Sequence, residues 1–414
     1  MMGIDVVIQR AAGIDIAKAS LVACVRVPAG DGGWQVDKRM FSTMTADLLA
    51  LADWLAGYGV TRVGMESTSN YWRPVFYALE ERFECWLLNA RHMRAVPGRK
   101  TDMTDAEWIC DLTAHGLVRP SFVPPPPIRR LRDLTRRRSL LLGERTREKQ
   151  RMEKLLEDAG VKLSVVATDI FGASGRAMID ALIGGERDPL ILANLARRRM
   201  RSKVDALAQA LTGHFTDHHA FLARMICQHI DTIDTMIGEL DQRIDTEIAP
   251  YRRQVELLDT VAGIDIRGAQ VIIAEIGVDM HRFTSPAHLA SWAGVCPGNN
   301  KTGGKAKTMH TRPGDRWLKA ALGVAAMAAI RKHDSYAGAL YRRVAARRGG
   351  IRALVAVGHS LLEAIWHMLS TDNPYQDPGS HYYLNRANPD QTRRRAIAQL
   401  ERLGLRVTLE PITP

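Results

Sequence analysis

Four acidic residues stand where carboxylates could do chemistry. Asp15 sits in the β-branched run Gly13-Ile14-Asp15-Ile16, and Glu66 directly follows the apolar stretch Val63-Gly64-Met65. Asp102 and Asp105 are three residues apart, which places them on one face of a helix start. Two carboxylates at strand ends and two on a helical turn can converge on one hard cation or on an adjacent pair. An oxygen-only donor set of this kind suits Mg2+ or Mn2+, which would hold a phosphate and activate the attacking oxygen. Lys18, Arg99 and Lys100 beside these acids fit an anionic substrate. A plainer use exists for each acid alone: Asp102 and Asp105 could simply cap a helix and oppose its dipole. Taken singly, that use is favoured; taken as an ordered set on alternating strands and helices, the cation site is.

A second constellation lies in the polar, glycine-bearing loop Asn299-Asn300-Lys301-Thr302-Gly303-Gly304-Lys305. A hydroxyl at Thr302 among Lys301, Lys305, Lys307 and Arg312 could be a nucleophile whose phosphoryl product is stabilised by charge. Spacing alone favours a simpler reading, a basic loop that grips a nucleic-acid backbone without chemistry. His310 has no His or Cys at ligand spacing, so a phosphate contact suits it better than a metal. Between Lys301 and Arg352 there are thirteen Lys/Arg against two acids, Asp315 and Asp334. That local excess of eleven nearly matches the net charge of the whole chain, +12.

These residues need elements to hold them. The chain has 414 residues, 46% hydrophobic and 25% charged, an ordinary globular composition for two or three domains. Its sequence pI is about 9.7, which favours a polyanionic partner. Val6–Val27 reads as two adjacent strands, Leu48–Tyr58 as a helix, Val60–Met65 as a buried strand, Tyr71–Glu81 as a helix, Glu84–Leu88 as a strand and Thr104–His115 as a helix. Strands alternating with helices predict an α/β layered domain over residues 1–127, ended by Pro124–Pro127.

Residues 128–255 read as a basic helical and coiled-coil region. Ile128–Lys154 carries eleven Lys/Arg against four acids, and Arg129, Arg130, Arg136, Arg137 and Arg138 are its candidate contacts to nucleic-acid backbone. Leu222, Ile226, Ile230, Ile233, Ile237, Leu240 and Ile244 form a near-heptad seam, which predicts a coiled coil pairing protomers; an amphipathic helix on an ordinary core reads as well. In the third region, 256–372, two helical patterns meet at Gly263-Ile264-Asp265, with Gly268 opening the second. This resembles a helix-hairpin-helix turn, whose glycines let backbone amides approach a phosphate; a tight turn between core helices fits equally. The tail, 373–414, is expected to be partly irregular, with one helix at Thr392–Leu403.

Five scattered cysteines without a CxxC pair suggest reduced thiols in a cytoplasm and no zinc site. No secretory signal is expected, because the N-terminus lacks a basic region followed by an apolar stretch, and no membrane span, because no 18 apolar residues run together and a typical run, Ala320–Ile330, has only eleven.

The motifs GIDIAK, MEST, GRKTDMTDA, VAGIDIRGAQVIIAEIG and LASWAGVCPGNN, the last followed by TGGK and TRPGDRWLKAAL, stand in order along most of the chain. Together they resemble the insertion sequence 110 family of transposases. The resemblance implies a RuvC-like (RNase H-like) domain, a helical coiled-coil region, and a mainly α transposase domain. It implies that Asp15, Glu66, Asp102 and Asp105 are a DEDD set binding Mg2+ or Mn2+. It also implies recombination of donor and target DNA guided by a bridge RNA, in a bacterial cytoplasm. The active species would be a homo-oligomer in which one protomer's metal domain meets another's transposase domain. The family's nucleophile is a serine in the loop after the GNN segment; that position here is Thr302, which keeps the hydroxyl but adds a crowding methyl. Ser285 and Ser291, the nearest serines, fall before the loop. Two other readings stay open: a metal-dependent RNase H-like nuclease attacking with water, and an inactive nucleic-acid-binding remnant. No GxxxxGK[ST] loop is present, in keeping with a transfer that needs no nucleotide.

Overall fold

The computed structural model describes residues 5–30, 32–66, 69–94, 96, 104–297, 301–302, 305–306, 311, 313–385 and 389–408. The chain divides into two compact units between Val123 and Pro124. The first contains β1 (Ala11–Ile16), β2 (Ser20–Pro28), β3 (Trp34–Ser42), α1 (Thr45–Gly57), β4 (Arg62–Glu66), α2 (Trp72–Leu79), β5 (Glu84–Leu88), α3 (Ala90–Arg94) and α4 (Asp105–Ala114). One five-stranded sheet runs in the order β3-β2-β1-β4-β5. β1 pairs antiparallel with β2, and β2 with β3, whereas β1–β4 and β4–β5 are parallel.

The alternation of side chains along β1 explains the layers. Ala12, Ile14 and Ile16 enter the main core with Leu21, Val63, Met65, Leu51, Leu55 and Val75 from the strands, α1 and α2. Ala11 joins a smaller core on the opposite face, against Ala106, Cys110 and Ala114 of α4. Strand β3 was not foreseen. Most of it is exposed and it carries Gln35, Asp37, Lys38 and Arg39, the polar composition of an edge strand rather than of a buried one.

The second unit begins with α5 (Pro126–Asp158), α6 (Leu163–Val166), α7 (Ala173–Ile183), α8 (Pro189–Ala193), a 3-10 turn (Arg198–Lys203), α9 (Val204–Ala210) and α10 (Asp217–Glu247). It continues with α11 (Arg252–Asp259), α12 (Ile266–Ile276), α13 (Pro286–Ala293), β6 (Lys301–Thr302), β7 (Lys305–Ala306), α14 (Arg316–Ala329), α15 (Tyr336–Arg348) and α16 (Gly350–Thr371). The one-turn helix α17 (Tyr382–Asn385) and the 14-residue α18 (Pro389–Arg402) follow. The proline run opens α5 as well as ending the first unit, because Pro126 and Pro127 take the first helical positions, where a missing N–H costs nothing.

Helices α5 and α10 run antiparallel. Ion pairs mark their register from Arg130–Glu247 through Arg138–Asp241 to Arg145–Asp234, and a hydrogen bond between His219 Nε2 and Asp158 marks the far end. This corrects the expectation that the α10 seam joins protomers. Ile233 and Ile237 are buried with Leu141 of the same chain, Ile230 and Ile244 are also buried, and Ile226 packs on the adjacent cap. The seam is satisfied within one chain. Residues of α6 to α9 form that cap at the far end of the pair, closing over Met152 and Leu156 of α5 with Met178, Ile179, Leu192, Leu207 and Phe215.

The turn between α11 and α12 is likewise used internally. Gly263 has φ +95°, and a Cβ there would stand 2.3 Å from the Ala325 carbonyl oxygen of α14. The Gly268 N–H is taken by the Asp265 carboxylate at 2.7 Å, an N-cap. Close helix packing therefore accounts for these glycines without a phosphate. By length and composition α16 could cross a membrane, contrary to the sequence reading. It is a core helix: Ala353, Val357, Leu361, Leu362 and Ile365 are buried against neighbouring helices.

Candidate functional site

Asp15, next to last in β1, and Glu66, last in β4, lie at the same end of adjacent parallel strands. Ile14 pairs with Met65, so each acid occupies the next position on neighbouring strands and both face the α4 side of the sheet. Two residues earlier on that face stand Gly13 and Gly64. A Cβ on Gly13 would lie 2.2 Å from the Cys110 amide nitrogen, and one on Gly64 would lie 2.1 Å from Thr113 Oγ1. These glycines form a saddle that lets α4 rest on the sheet backbone, bringing its N-terminus to the acids. The pattern Gly-x-Asp and Gly-x-Glu, with one spacing in both strands, was the signal available in the sequence and not used.

Asp105 is the first residue of α4 and is exposed. The capping role proposed for it belongs to its neighbours. Thr104 accepts from the Glu107 N–H, and the Glu107 carboxylate returns to the Thr104 N–H at 2.8 Å, a capping box. Burial, and after it the charge of Asp105, hold the Asp15 carboxyl above its ordinary range, while a hydrogen bond from the Ile16 backbone acts in the opposite sense. Glu66 and Asp105 line one cavity of about 310 Å³ with Ala90, Met93, Val96, Trp108 and Ile109. Three of the four expected carboxylates thus share one corner of the sheet. Among the described residues no three acidic, His or Cys side chains already close on a single point. Asp102, Arg99 and Lys100 lie outside the described residues. The donor chemistry fits a hard divalent cation, because only carboxylate oxygens gather there and their mutual repulsion already disfavours the charged form of Asp15. Lys18 is exposed in the β1–β2 turn, where its carbonyl accepts from Thr43 Oγ1 at 2.9 Å.

In the second unit the backbone of Thr302 lies in a short hairpin. Thr302 pairs with Lys305 and Lys301 with Ala306, and Pro297 bridges Thr311. The side chains of Lys301, Thr302 and Lys305, together with Lys307, His310 and Arg312, lie outside the described residues. The stem of the loop is well held. A Cβ on Gly314 would stand 2.3 Å from the Ala293 carbonyl oxygen, so both ends of the loop meet at the end of α13. Asp315 caps α14, accepting from Trp317 and Leu318 N–H groups at 2.9 and 2.8 Å. Arg136 donates to Asp315 at 2.9 Å and to both oxygens of Glu275 at 2.8 and 2.7 Å.

Glu275 has no exposed side-chain surface, and Arg132 pairs with it at 3.1 Å. Burial pushes its carboxyl up, against the lowering effect of Arg136 and Arg132. Of the α5 arginines expected to touch nucleic acid, Arg130 pairs with Glu247, Arg136 with Glu275 and Asp315, and Arg138 with Asp241. Arg137 is exposed, and Arg129 is engaged in a further contact within the molecule.

A sheet corner of acids on an α/β unit, followed by a helical unit with a clamped basic loop, is the arrangement of a DNA phosphoryl-transfer enzyme of the transposase class. Residues 12–160 match the DEDD transposase model of the IS110 group, and residues 255–342 match the transposase IS116/IS110/IS902 family. The chain belongs to the IS110 family of transposases. The first unit is accordingly the family's RNase H-like DEDD region. A protein named probable family 20 transposase, from Pseudomonas aeruginosa, is 25% identical over 69% of this chain and 76% of its own length. A protein of insertion element IS110 from Streptomyces coelicolor is 26% identical over 45% of this chain and 50% of its own length.

Proposed function

We propose that this transposase cuts and rejoins donor and target DNA through a covalent protein–DNA intermediate, with Asp15, Glu66, Asp102 and Asp105 as its metal-binding carboxylates. The observation that carries the reading is the corner itself: Asp15 beside Asp105, and Asp105 sharing a cavity with Glu66. A divalent cation held there would neutralise charge on the scissile phosphate and lower the barrier to attack on it. The chain's own part is to hold the carboxylates ready, through the Gly13 and Gly64 saddle, and to supply the attacking oxygen.

That oxygen is the Thr302 hydroxyl. It forms an Oγ–P bond while the P–O3′ bond breaks, and the hydroxyl proton ends on the leaving 3′ oxygen. A 3′-hydroxyl and a 5′-phosphoryl link to the protein result. Rejoining reverses the exchange onto a new 3′-hydroxyl, one ester for another, so no nucleotide is consumed. A guide RNA that pairs separately with donor and target is part of the proposal, supported by the family membership and the net charge of +12. So is assembly into a homo-oligomer, which must use surfaces other than the α10 seam. The proposed setting is the chromosome in a bacterial cytoplasm, which five unbonded cysteines suit.

The test is to trap the adduct under denaturing conditions on DNA carrying the element's ends, with its flanking RNA, and to map the linked peptide. Thr302→Ala should eliminate the adduct, Thr302→Ser should keep it, and Asp15→Asn should abolish it without unfolding the chain. An adduct that persists in Thr302→Ala refutes the nucleophile. Cleavage with no adduct in any variant replaces the reading with a nuclease that attacks with water.

A further inference from the structure

The cap between α5 and α10 lies largely outside both family matches, which end at residue 160 and resume at residue 255. It carries the densest run of cations in the chain that no motif explains: Arg197, Arg198, Arg199, Arg201 and Lys203, with no acid between Asp188 and Asp205. All five are exposed. Among the described residues none of the five stands in an ion pair, and three of the cap's acids are engaged elsewhere. Asp169 pairs with Lys149, Asp180 with Arg176, and Asp188 caps α8.

The run is presented rather than merely tolerated. Met200 packs into the cap core, so a turn with three residues per revolution turns Arg198, Arg199 and Arg201 away from that core, while Lys203 shares the Met200 side. The Arg197 N–H donates to the buried Ser174 hydroxyl at 2.9 Å, and Lys203 Nζ donates to the Val166 carbonyl at 3.2 Å, tying both ends to the cap. Between them Arg198 holds φ +51°, a left-handed conformation that a long side chain adopts only where its surroundings enforce it.

We infer that this 3-10 turn is a second DNA-binding anchor, contacting the phosphate backbone of a duplex. DNA is the polyanion that a transposase must hold, and unpaired guanidinium groups on a fixed turn suit phosphates without reading bases. The placement adds reach. The cap is seated on Met152 and Leu156 of α5, about 20 residues beyond Arg136, which grips the Thr302 loop stem. At about 1.5 Å per residue this is roughly 24–30 Å, a little under one turn of duplex. One DNA segment could therefore engage both places within this unit.

The experiment measures binding of the full-length chain to a mixed-sequence DNA duplex about four helical turns long, as a function of salt. In the triple variant Arg197→Gln, Arg199→Gln, Arg201→Gln the log–log salt slope should become shallower by about 3, with affinity at low salt about tenfold weaker or more. Because the side chains are exposed, the melting temperature should not move; if the triple variant fails to fold, Arg199→Gln alone should reduce the slope by about 1. An unchanged slope overturns the inference. So does a change seen only on an RNA duplex of the same length while DNA binding stays as it was, since that would make the turn an RNA contact. Neither outcome depends on Thr302, so loss of the covalent-intermediate reading would leave this result intact.

Discussion

Two stretches of the second unit are rich in arginine, and their surroundings are opposite. Along α5, cations meet carboxylates from α10, α12 and the start of α14: Arg130 with Glu247, Arg138 with Asp241, Arg145 with Asp234, and Arg136 with Glu275 and Asp315. On the 3-10 turn of the cap and at Arg197 just before it, five exposed cations stand in no ion pair among the described residues. A count of charges cannot tell these apart, because the neutralising acids of α5 lie about 90 to 180 residues away in sequence. The difference teaches what a basic run is for. Where tertiary contacts supply the counter-charge, arginine ties helices together; where they do not, the charge stays in solvent and is open to an anionic ligand.

The largest effect expected from this contrast is on stability at the α5 end. Glu275 is fully buried and neutralises both Arg132 and Arg136. Glu275→Ala leaves Arg132 without its acid and Arg136 with Asp315 alone, and removing one partner of a buried pair typically costs about 3–5 kcal/mol. Denaturant unfolding measures it. A loss below about 1 kcal/mol would mean that water or Asp315 compensates the arginines, and the contrast between the two stretches would weaken.

What the sequence made legible follows the same line between local and distant causes. Most strands and helices around Asp15 and Glu66 follow from alternation and β-branching, so α1, β4, α2, β5 and α4 fall close to their predicted bounds. The sequence offered Asp15, Glu66 and Asp105 as an ordered set of acids, and they lie at one corner of the sheet, although among the described residues no three such side chains close on one point. The device that brings α4 onto the sheet was not, because a glycine's purpose depends on what approaches it, here the Cys110 backbone and the Thr113 side chain. β3 escaped because an edge strand can be polar on most of its length. The α10 seam was read correctly as a helix face, but periodicity reports that a face is buried and not by which chain. The cap was invisible for a related reason: its helices are short, and their apolar residues meet only once α5 and α10 have come together.

A smaller effect sharpens the comparison inside α5. Arg138 makes two hydrogen bonds to Asp241, at 2.6 and 3.3 Å, with both side chains about one-quarter exposed. Arg138→Ala should cost about 1 kcal/mol, the worth of a well-aligned, partly buried pair. A double-mutant cycle with Asp241→Ala should return most of that as coupling. If Arg138→Ala instead leaves stability unchanged and reduces the DNA salt slope by about 1, this arginine behaves as the cap's arginines are inferred to, and the division between the two stretches fails.

The smallest effect has the opposite sign. Arg198 holds a left-handed backbone, which for a residue with a Cβ costs roughly 1–2 kcal/mol. Arg198→Gly removes that strain but gives the unfolded chain more freedom, a penalty of roughly 0.5–1 kcal/mol. The difference leaves the variant more stable by about 0.5 kcal/mol, where every arginine-to-smaller change in the paired part of α5 should destabilise. The same variant loses one exposed guanidinium, so its DNA salt slope should fall by about 1. Stability and binding then move in opposite directions at one position, which is expected of a residue held for its charge and not for the fold. A variant that is both less stable and unaltered in DNA binding would show that Arg198 serves the packing of the cap, and the turn would join α5 as a structural use of arginine.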